Sequence, residues 1–537
     1  MTTIPWWQDG VIYQIYPRSF ADADGDGVGD LRGIIAHLDH LNDGTPNSLG
    51  VDAIWLSPVY PSPGYDFGYD VADYCNIDPL FGTLTDFDRL VAEAHRRGIR
   101  ILMDMVVNHT SHEHPWFIES RASRENPKRD WYIWRDPAPG GGLPNKWQSV
   151  FGGRAWEWDE GTGQHYYHMF LKEQPDLNWR NPDARRAVMQ AFRFWLERGV
   201  DGFRLDVVNA YFKDAGLRDN PPKLGLRGYD RQAHVYDMDQ PELIDVYREL
   251  NALLAEYGDR MAVGEIMEAT HEKVARFSGP GRLPLAFNFE FTRQPWRAPA
   301  FRRAVARCEA SLAEGSWPCY VLSNHDVPRH ASRYGGRFAP QRAKVAAAML
   351  LTLRGTPFLY YGEEIGMRNG RIRHHEIQDP PGKRYWPLYG GRDPERTPMP
   401  WSAEPGAGFT RGRPWLPLNE DYREVNVAAQ RDDPHSVFSF YRQLIWLRRS
   451  SAALRHGSYR ALAQAPRRAQ VYLREAPGQM MLVALNFSPR AVEVRLEEAL
   501  PRAAWHLRLS TNAAAHECLH DGVVLLGPHE ACILEAT

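Results

Sequence analysis

Three carboxylates, two imidazoles and one guanidinium stand in this chain where they could act on a single bond. Each lies at the end of a short β-branched or aromatic run. Residues 99–107 lead into Asn108-His109, residues 202–206 carry Arg204 and Asp206, residues 261–265 end on Glu265, and residues 319–324 lead into His325-Asp326. One carboxylate at a strand end commonly caps the next helix or holds an arginine. Three of them, with two histidines and an arginine, gathered from four strands, point to catalysis if one scaffold brings those strand ends together.

A second acidic cluster is local. Asp22, Asp24, Asp26 and Asp30 occupy positions 1, 3, 5 and 9 of a loop with Gly27 at position 6, the spacing of a calcium loop. Position 12 is Gly33, not the bidentate Glu of an EF-hand. Carboxylates packed this densely repel one another without a cation, so a bound metal is expected here rather than a solvated acidic turn.

The elements needed to position the strand-end residues are legible as periodicity. Further strand-like runs at 11–16, 51–56, 285–289 and 357–361 alternate with segments of helical period. In 182–198, for example, Val188, Ala191, Phe192, Trp195 and Leu196 form one apolar stripe, and Gly199 supplies the stop. Similar stripes run through 86–97, 241–257, 299–313, 340–353 and 435–450. About eight strands in strict alternation with helices predict an α/β fold, a closed parallel (β/α)8 TIM barrel. Residues 108–176 break the rhythm with Trp, Gly, Pro and polar residues, and read as an irregular inserted domain after strand 3. Residues 454–537 turn to short alternating strands (470–474, 480–486, 492–496), a C-terminal antiparallel β-sandwich domain. The barrel would then comprise 1–107 and 177–453. A Pro-, Gly- and Arg-rich loop at 367–426 is long enough to be functional or disordered.

Composition narrows the function classes. Across 537 residues, 64 Lys plus Arg nearly balance 67 Asp plus Glu, which argues against a nucleic-acid binder. The longest apolar stretch, 345–351, is far below the roughly 20 residues of a membrane span. The N-terminus has no basic and apolar leader pattern, and Cys75, Cys308, Cys319, Cys518 and Cys532 form no CxxC pair, so a cytoplasmic location is expected. Aromatic residues make up 12%, with 18 Trp and 24 Tyr, a content that suits either stacking against sugar rings or a large core. Oligomeric state, monomer or homo-oligomer, is left open.

The strand-end segments resemble the signature regions of the α-amylase family of glycoside hydrolases, family 13. Gln14-Ile15-Tyr16-Pro17-Arg18-Ser19-Phe20, Gly68-Tyr69-Asp70, Gln174-Pro175-Asp176-Leu177-Asn178 and Arg396-Thr397-Pro398-Met399 fall in the family's order, although Pro400 replaces the Gln usual in relatives. The similarity extends over essentially the whole chain and is nearest the oligo-1,6-glucosidase and α-glucosidase branch. It implies Asp206 as nucleophile, Glu265 as acid/base and Asp326 as the third acid, which binds the 2- and 3-hydroxyls. Retaining enzymes hold the first two about 5–5.5 Å apart. Arg204, two residues before Asp206 on one strand, points the same way and favours its charge, and Glu265 needs a raised pKa.

The same resemblance implies a substrate pocket. Asp66 and Arg392 would clamp the non-reducing 4-hydroxyl, with Arg396 the rival arginine. Tyr69 would be a stacking platform, Phe151 and Phe170 walls, and His109 and His325 hydroxyl partners. In the acidic loop the resemblance implies a structural Ca²⁺ or Mg²⁺, with the carbonyl of Val28 joining its ligands. Val207, after the nucleophile, accompanies α-1,6 specificity in this branch. The expected function is an exo-acting α-glucosidase on short α-glucosides, isomaltose-like before maltose-like. A transglucosylase or sucrose- or trehalose-forming isomerase is the alternative, although the Arg-Leu-Asp-Arg-Asp stretch of sucrose isomerases is absent. Transporter-associated relatives without catalytic acids are excluded by Asp206, Glu265 and Asp326.

Overall fold

The computed structural model describes residues 4–496, 504–512, 519–520 and 522–536; Cys518 lies outside them. Eight parallel strands form the centre: β1 Ile12–Ile15, β2 Ala53–Leu56, β3 Arg100–Met105, β4 Gly202–Leu205, β5 Met261–Gly264, β6 Leu285–Ala286, β7 Cys319–Val321 and β8 Thr356–Tyr360. Their order is β7-β8-β1-β2-β3-β4-β5-β6, so the last strand returns to pair with the first and the sheet curls into a barrel. Every expected strand forms, most of them shorter than the apolar run. The ladder ends before Asp206, Glu265 and Asp326 because the chain there leaves its neighbours to enter the loops, which frees those side chains for the barrel mouth.

The helices follow their apolar stripes. Pro182–Glu197 begins where the Asn181 side chain accepts from the amides of Asp183 and Ala184, with Pro182 in the first turn, where no N–H is needed. Val188, Ala191, Phe192, Trp195 and Leu196 are buried as the period predicts, each of the larger ones contributing about 1.5–3 kcal/mol. Gly199, at φ 91°, ends it in a conformation that a β-carbon disfavours. Trp55, Leu102, Val263, Phe287, Val321 and Phe358 fill the barrel interior. Gly264 is required by close packing: a β-carbon there would lie 2.6 Å from Leu283 and 2.9 Å from Val208.

The 108–176 segment leaves and rejoins the barrel at one point, an antiparallel bridge between His109 and Asp176. Lys213 reinforces it, reaching Asp176 at 2.6 Å and Asn108 at 3.0 Å. The segment is more regular than its sequence suggests. It holds a helix, Pro115–Ala122, too short to show an apolar stripe, and a sheet of Trp134–Arg135, Gln164–Tyr167 and Trp156–Asp159. Near the C-terminus, a five-stranded antiparallel sheet and a three-stranded one share a core that includes Leu473, Leu482, Val494, Val524 and Leu534. The 367–426 loop is built of short turns and the helix Pro380–Tyr385, with Asp379, Asp393 and Arg396 buried. No helix among the described residues is long and apolar enough to cross a membrane. Cys75, Cys308 and Cys319 are free thiols.

Candidate active site

Strand register builds the centre. Asp104 on β3 is the direct partner of Arg204 on β4, and Arg204 is the partner of Val263 on β5, two residues before Glu265. The fully buried Arg204 guanidinium therefore lies below three acids. One nitrogen donates to Asp104 at 2.8 Å and to Asp206 at 2.7 Å, and the other donates to Glu265. Trp55 and Tyr69 lie against its faces at 5.1 and 5.8 Å. Burial opposes the charge of Arg204, but Asp104, Glu265 and Asp206 hold it firmly protonated.

This one cation cannot satisfy three anions. Burial pushes Glu265 up to about 8, Arg204 opposes the rise, and the charges of Asp206, Asp326 and Asp104 add to it. Asp104 is raised to about 7, again chiefly by burial. Glu265 is thus held mainly in its protonated form at neutral pH. Side-chain exposure falls from 31% at Asp326 to 17% at Glu265 and 8% at Asp206, which makes Asp206 the deepest of the three at the mouth.

Asp326 has the opposite electrostatics. Burial would raise its pKa, but His325, Arg392, Arg396 and Arg204 outweigh it and hold the carboxyl well below the usual range. Arg396 reaches Asp326 at 2.6 Å and Arg392 at 3.2 Å. His325, lowered to about 3 by burial, is neutral at ordinary pH, so the arginines hold the charge there. Its Nδ1 faces the Gln14 amide nitrogen at 2.8 Å, which assigns the ring proton to Nε2, 2.6 Å from the Tyr69 hydroxyl. Tyr69 in turn donates to Asp104 at 3.0 Å and stacks on the His325 ring at 5.2 Å.

The pocket wall comes from loops distant in sequence. Arg392 donates to Asp66 at 2.7 Å, which separates it from Arg396, bonded instead to the His325 carbonyl at 2.8 Å. Arg392 also lies 5.2 Å from the Phe151 ring, and Phe151 packs edge-on against Phe170 at 5.6 Å. His109 is buried one layer back: its nitrogens face the Tyr69 carbonyl at 3.0 Å, Gln174 and Asn108. Val207 adopts φ 37°, unusual for a β-branched residue, and packs in a cluster with Phe170, Tyr229 and Met238. The strained turn directs the chain away immediately after Asp206.

Three supporting residues escaped the sequence reading. Asp104 was visible as a strand-end acid next to the His109 motif. Gln174, whose amide reaches Asp66 at 3.2 Å, lay inside a quoted motif. Asp379, which holds Arg392 at 2.6 Å and by its backbone amide at 3.0 Å, had no signal beyond its loop.

In the acidic loop, oxygens of Asp22, Asp24 and Asp30 lie within 4.8 Å of one another. Asp26 stands outside that set and accepts from the Val28 amide at 2.7 Å. Backbone amides of Ala23, Gly25, Gly27 and Gly33 and the Thr410 hydroxyl also point at these carboxylates.

A parallel barrel whose carboxyl end holds an aspartate and a raised-pKa glutamate on one arginine has the form of a barrel glycosidase. Residues 14–457 match the alpha amylase catalytic domain family. A probable alpha-glucosidase of Rhizobium meliloti (strain 1021) is 44% identical over 467 residues, 84% of each chain. An oligo-1,6-glucosidase of Parageobacillus thermoglucosidasius is 42% identical over 526 residues, 92% of each. The solved structure of an alpha-glucosyl transfer enzyme, XgtA, superposes with a TM-score of 0.92 at 43% identity over 100% of both chains. The chain belongs to the α-amylase family of glycoside hydrolases, family 13, and is a glucosidase of the α-glucosidase and oligo-1,6-glucosidase type.

Proposed function

We propose that this glucosidase is retaining and exo-acting, and that it removes terminal α-linked glucose from short oligosaccharides with α-1,6 links favoured over α-1,4. The observation that carries this reading is the single Arg204 guanidinium holding both Asp206 and Glu265. Two carboxyls within reach of one guanidinium favour the short separation of about 5–5.5 Å for direct attack over the about 6.5–9.5 Å that admits water between them.

In the first step an Asp206 oxygen bonds to the anomeric carbon as Glu265 gives its proton to the departing glycosidic oxygen. The aglycone leaves as an alcohol and glucose remains as an ester. In the second step Glu265, now charged, takes a proton from water, the water oxygen bonds to the anomeric carbon, and Asp206 departs as carboxylate. Arg204 favours the charged Asp206 at both ends of the cycle. Asp326, kept ionised by Arg392 and Arg396, accepts from ring hydroxyls and favours positive charge on the sugar. Asp66 and Arg392 close the pocket at its inner end, which accounts for taking only terminal glucose. Val207, beside Phe170, shapes the aglycone side, a contact worth about 1–3 kcal/mol.

The Asp22, Asp24 and Asp30 oxygens fit a hard cation, and we assign Ca²⁺ or Mg²⁺ there with the Val28 carbonyl as a further ligand and Asp26 at its edge. Such an ion would neutralise the carboxylates and stiffen the loop.

A second reading has support in the likeness to XgtA: the glucosyl ester passes to a sugar hydroxyl instead of water. An NMR time course on isomaltose, maltose and sucrose separates the two by free glucose against new disaccharide. The first-formed product should keep the α configuration, and Asp206→Asn should lose nearly all turnover. An inverted product, or an Asp206→Asn enzyme with near-normal rates, would refute the mechanism.

A further inference from the structure

Away from the barrel mouth, a cavity of about 730 Å³ opens where the 295–303 segment meets the turns at 466–468 and 487–489. Its lining includes Arg297, Arg303, Arg467 and Arg468, and no carboxylate. None of these four guanidinium groups has an ion-pair or hydrogen-bond partner among the described residues, while Arg204, Arg392 and Arg396 each sit against acids.

Four like charges thus gather around the cavity with no acid in its lining to neutralise them. Arg297 is the N-cap of the helix Ala298–Ser311, whose first turn has no acidic residue and whose N-terminus has no side-chain cap. Positive side chains at the positive end of a helix are mildly disfavoured. Arg303 adds charge one turn later, and the facing turn adds two more.

The four arginine side chains are solvent-exposed, but the segments that carry them are tied together. Arg302 donates to the Ala465 carbonyl at 3.0 Å and fastens the arginine-bearing turn to the helix. The Phe487 amide donates to the Arg468 carbonyl at 3.0 Å and fastens it to the third segment. Trp296 and Phe487, with centroids 4.7 Å apart, form an aromatic wall beside the guanidinium groups.

From the cavity, the unpartnered arginines and the adjoining rings together, we propose that this is a binding site for a small phosphorylated ring compound. The phosphoryl oxygens would accept from the arginines, for which guanidinium geometry is suited, and the ring would lie against Trp296.

The test is calorimetric titration of the intact protein with ADP, glucose 6-phosphate and pyrophosphate, with sulfate at matched ionic strength as control. At least one of the two ring compounds should bind saturably and more tightly than pyrophosphate or sulfate. The Arg303→Ala/Arg467→Ala double variant should weaken that binding at least about tenfold with glucosidase turnover unchanged, and Trp296→Leu should remove the preference for the ring compound over pyrophosphate. Binding no tighter than sulfate, or undiminished in the double variant, would overturn the proposal. Pyrophosphate binding as tightly as both ring compounds would overturn its aromatic part.

Discussion

Raising the pH should switch off the first chemical step by taking the proton from Glu265. Burial and the neighbouring charges of Asp206, Asp326 and Asp104 move this carboxyl from an ordinary 4.5 to about 8, on the order of 5 kcal/mol against its charged form. A group titrating there is about nine-tenths protonated at pH 7 and about one-tenth at pH 9. The value of kcat/KM for isomaltose should therefore be level towards the alkaline side until about pH 8, then fall tenfold per pH unit. Initial rates measured between about pH 5 and pH 10 read this limb directly. With 4-nitrophenyl α-glucoside, whose leaving group needs little protonation, the limb should flatten. Glu265→Gln should lower isomaltose turnover by about 10²–10⁴-fold and abolish the limb, with a smaller loss in glucosyl-ester formation from the nitrophenyl substrate. An alkaline limb that survives unchanged in Glu265→Gln, or none at all in the parent enzyme, would refute the assignment of the acid.

Arg204→Ala leaves Asp104, Asp206 and Glu265 buried without their shared cation; stability should fall by about 3–5 kcal/mol in a denaturant melt, and a loss under 1 kcal/mol would contradict the network. Val207→Thr keeps the β-branch, and so the same backbone strain at φ 37°, while putting a hydroxyl in place of a methyl on the aglycone side. The maltose-to-isomaltose ratio of kcat/KM should rise by up to about tenfold, and an unchanged ratio would remove Val207 from the specificity argument. Treatment with EDTA should lower the melting temperature of the parent but not of Asp24→Asn, with turnover retained at low temperature; identical responses of the two proteins would count against a metal in the Asp22–Asp30 loop.

Much of this enzyme is written in local order. Apolar residues spaced for helices alternate with β-branched runs, and that periodicity depends only on backbone geometry, so the strands and the Pro182–Glu197 helix could be read without coordinates. A βα barrel presents its strand ends on one face, so Asp206, Glu265 and Asp326 were also readable as neighbours once the barrel was inferred. Short elements without a full apolar period were not. The Pro115–Ala122 helix and the small sheet around Trp156–Asp159 lie in a stretch whose composition resembles loop.

Tertiary structure alone decided the electrostatics. Asp104, Arg204 and Glu265 come together through strand register, and their burial sets which acid carries a proton. The distinction between Arg392, which takes Asp66 and Asp379, and Arg396, which takes the His325 carbonyl, arises because a loop late in the chain folds over the mouth. His109 turns to the Tyr69 carbonyl for a related reason: the inserted segment closes over it and brings Gln174 alongside. Sequence spacing determines which way a side chain leaves its own strand or helix. Its charge state and partners depend on the groups that distant parts of the chain bring within a few ångströms, and on the water they exclude.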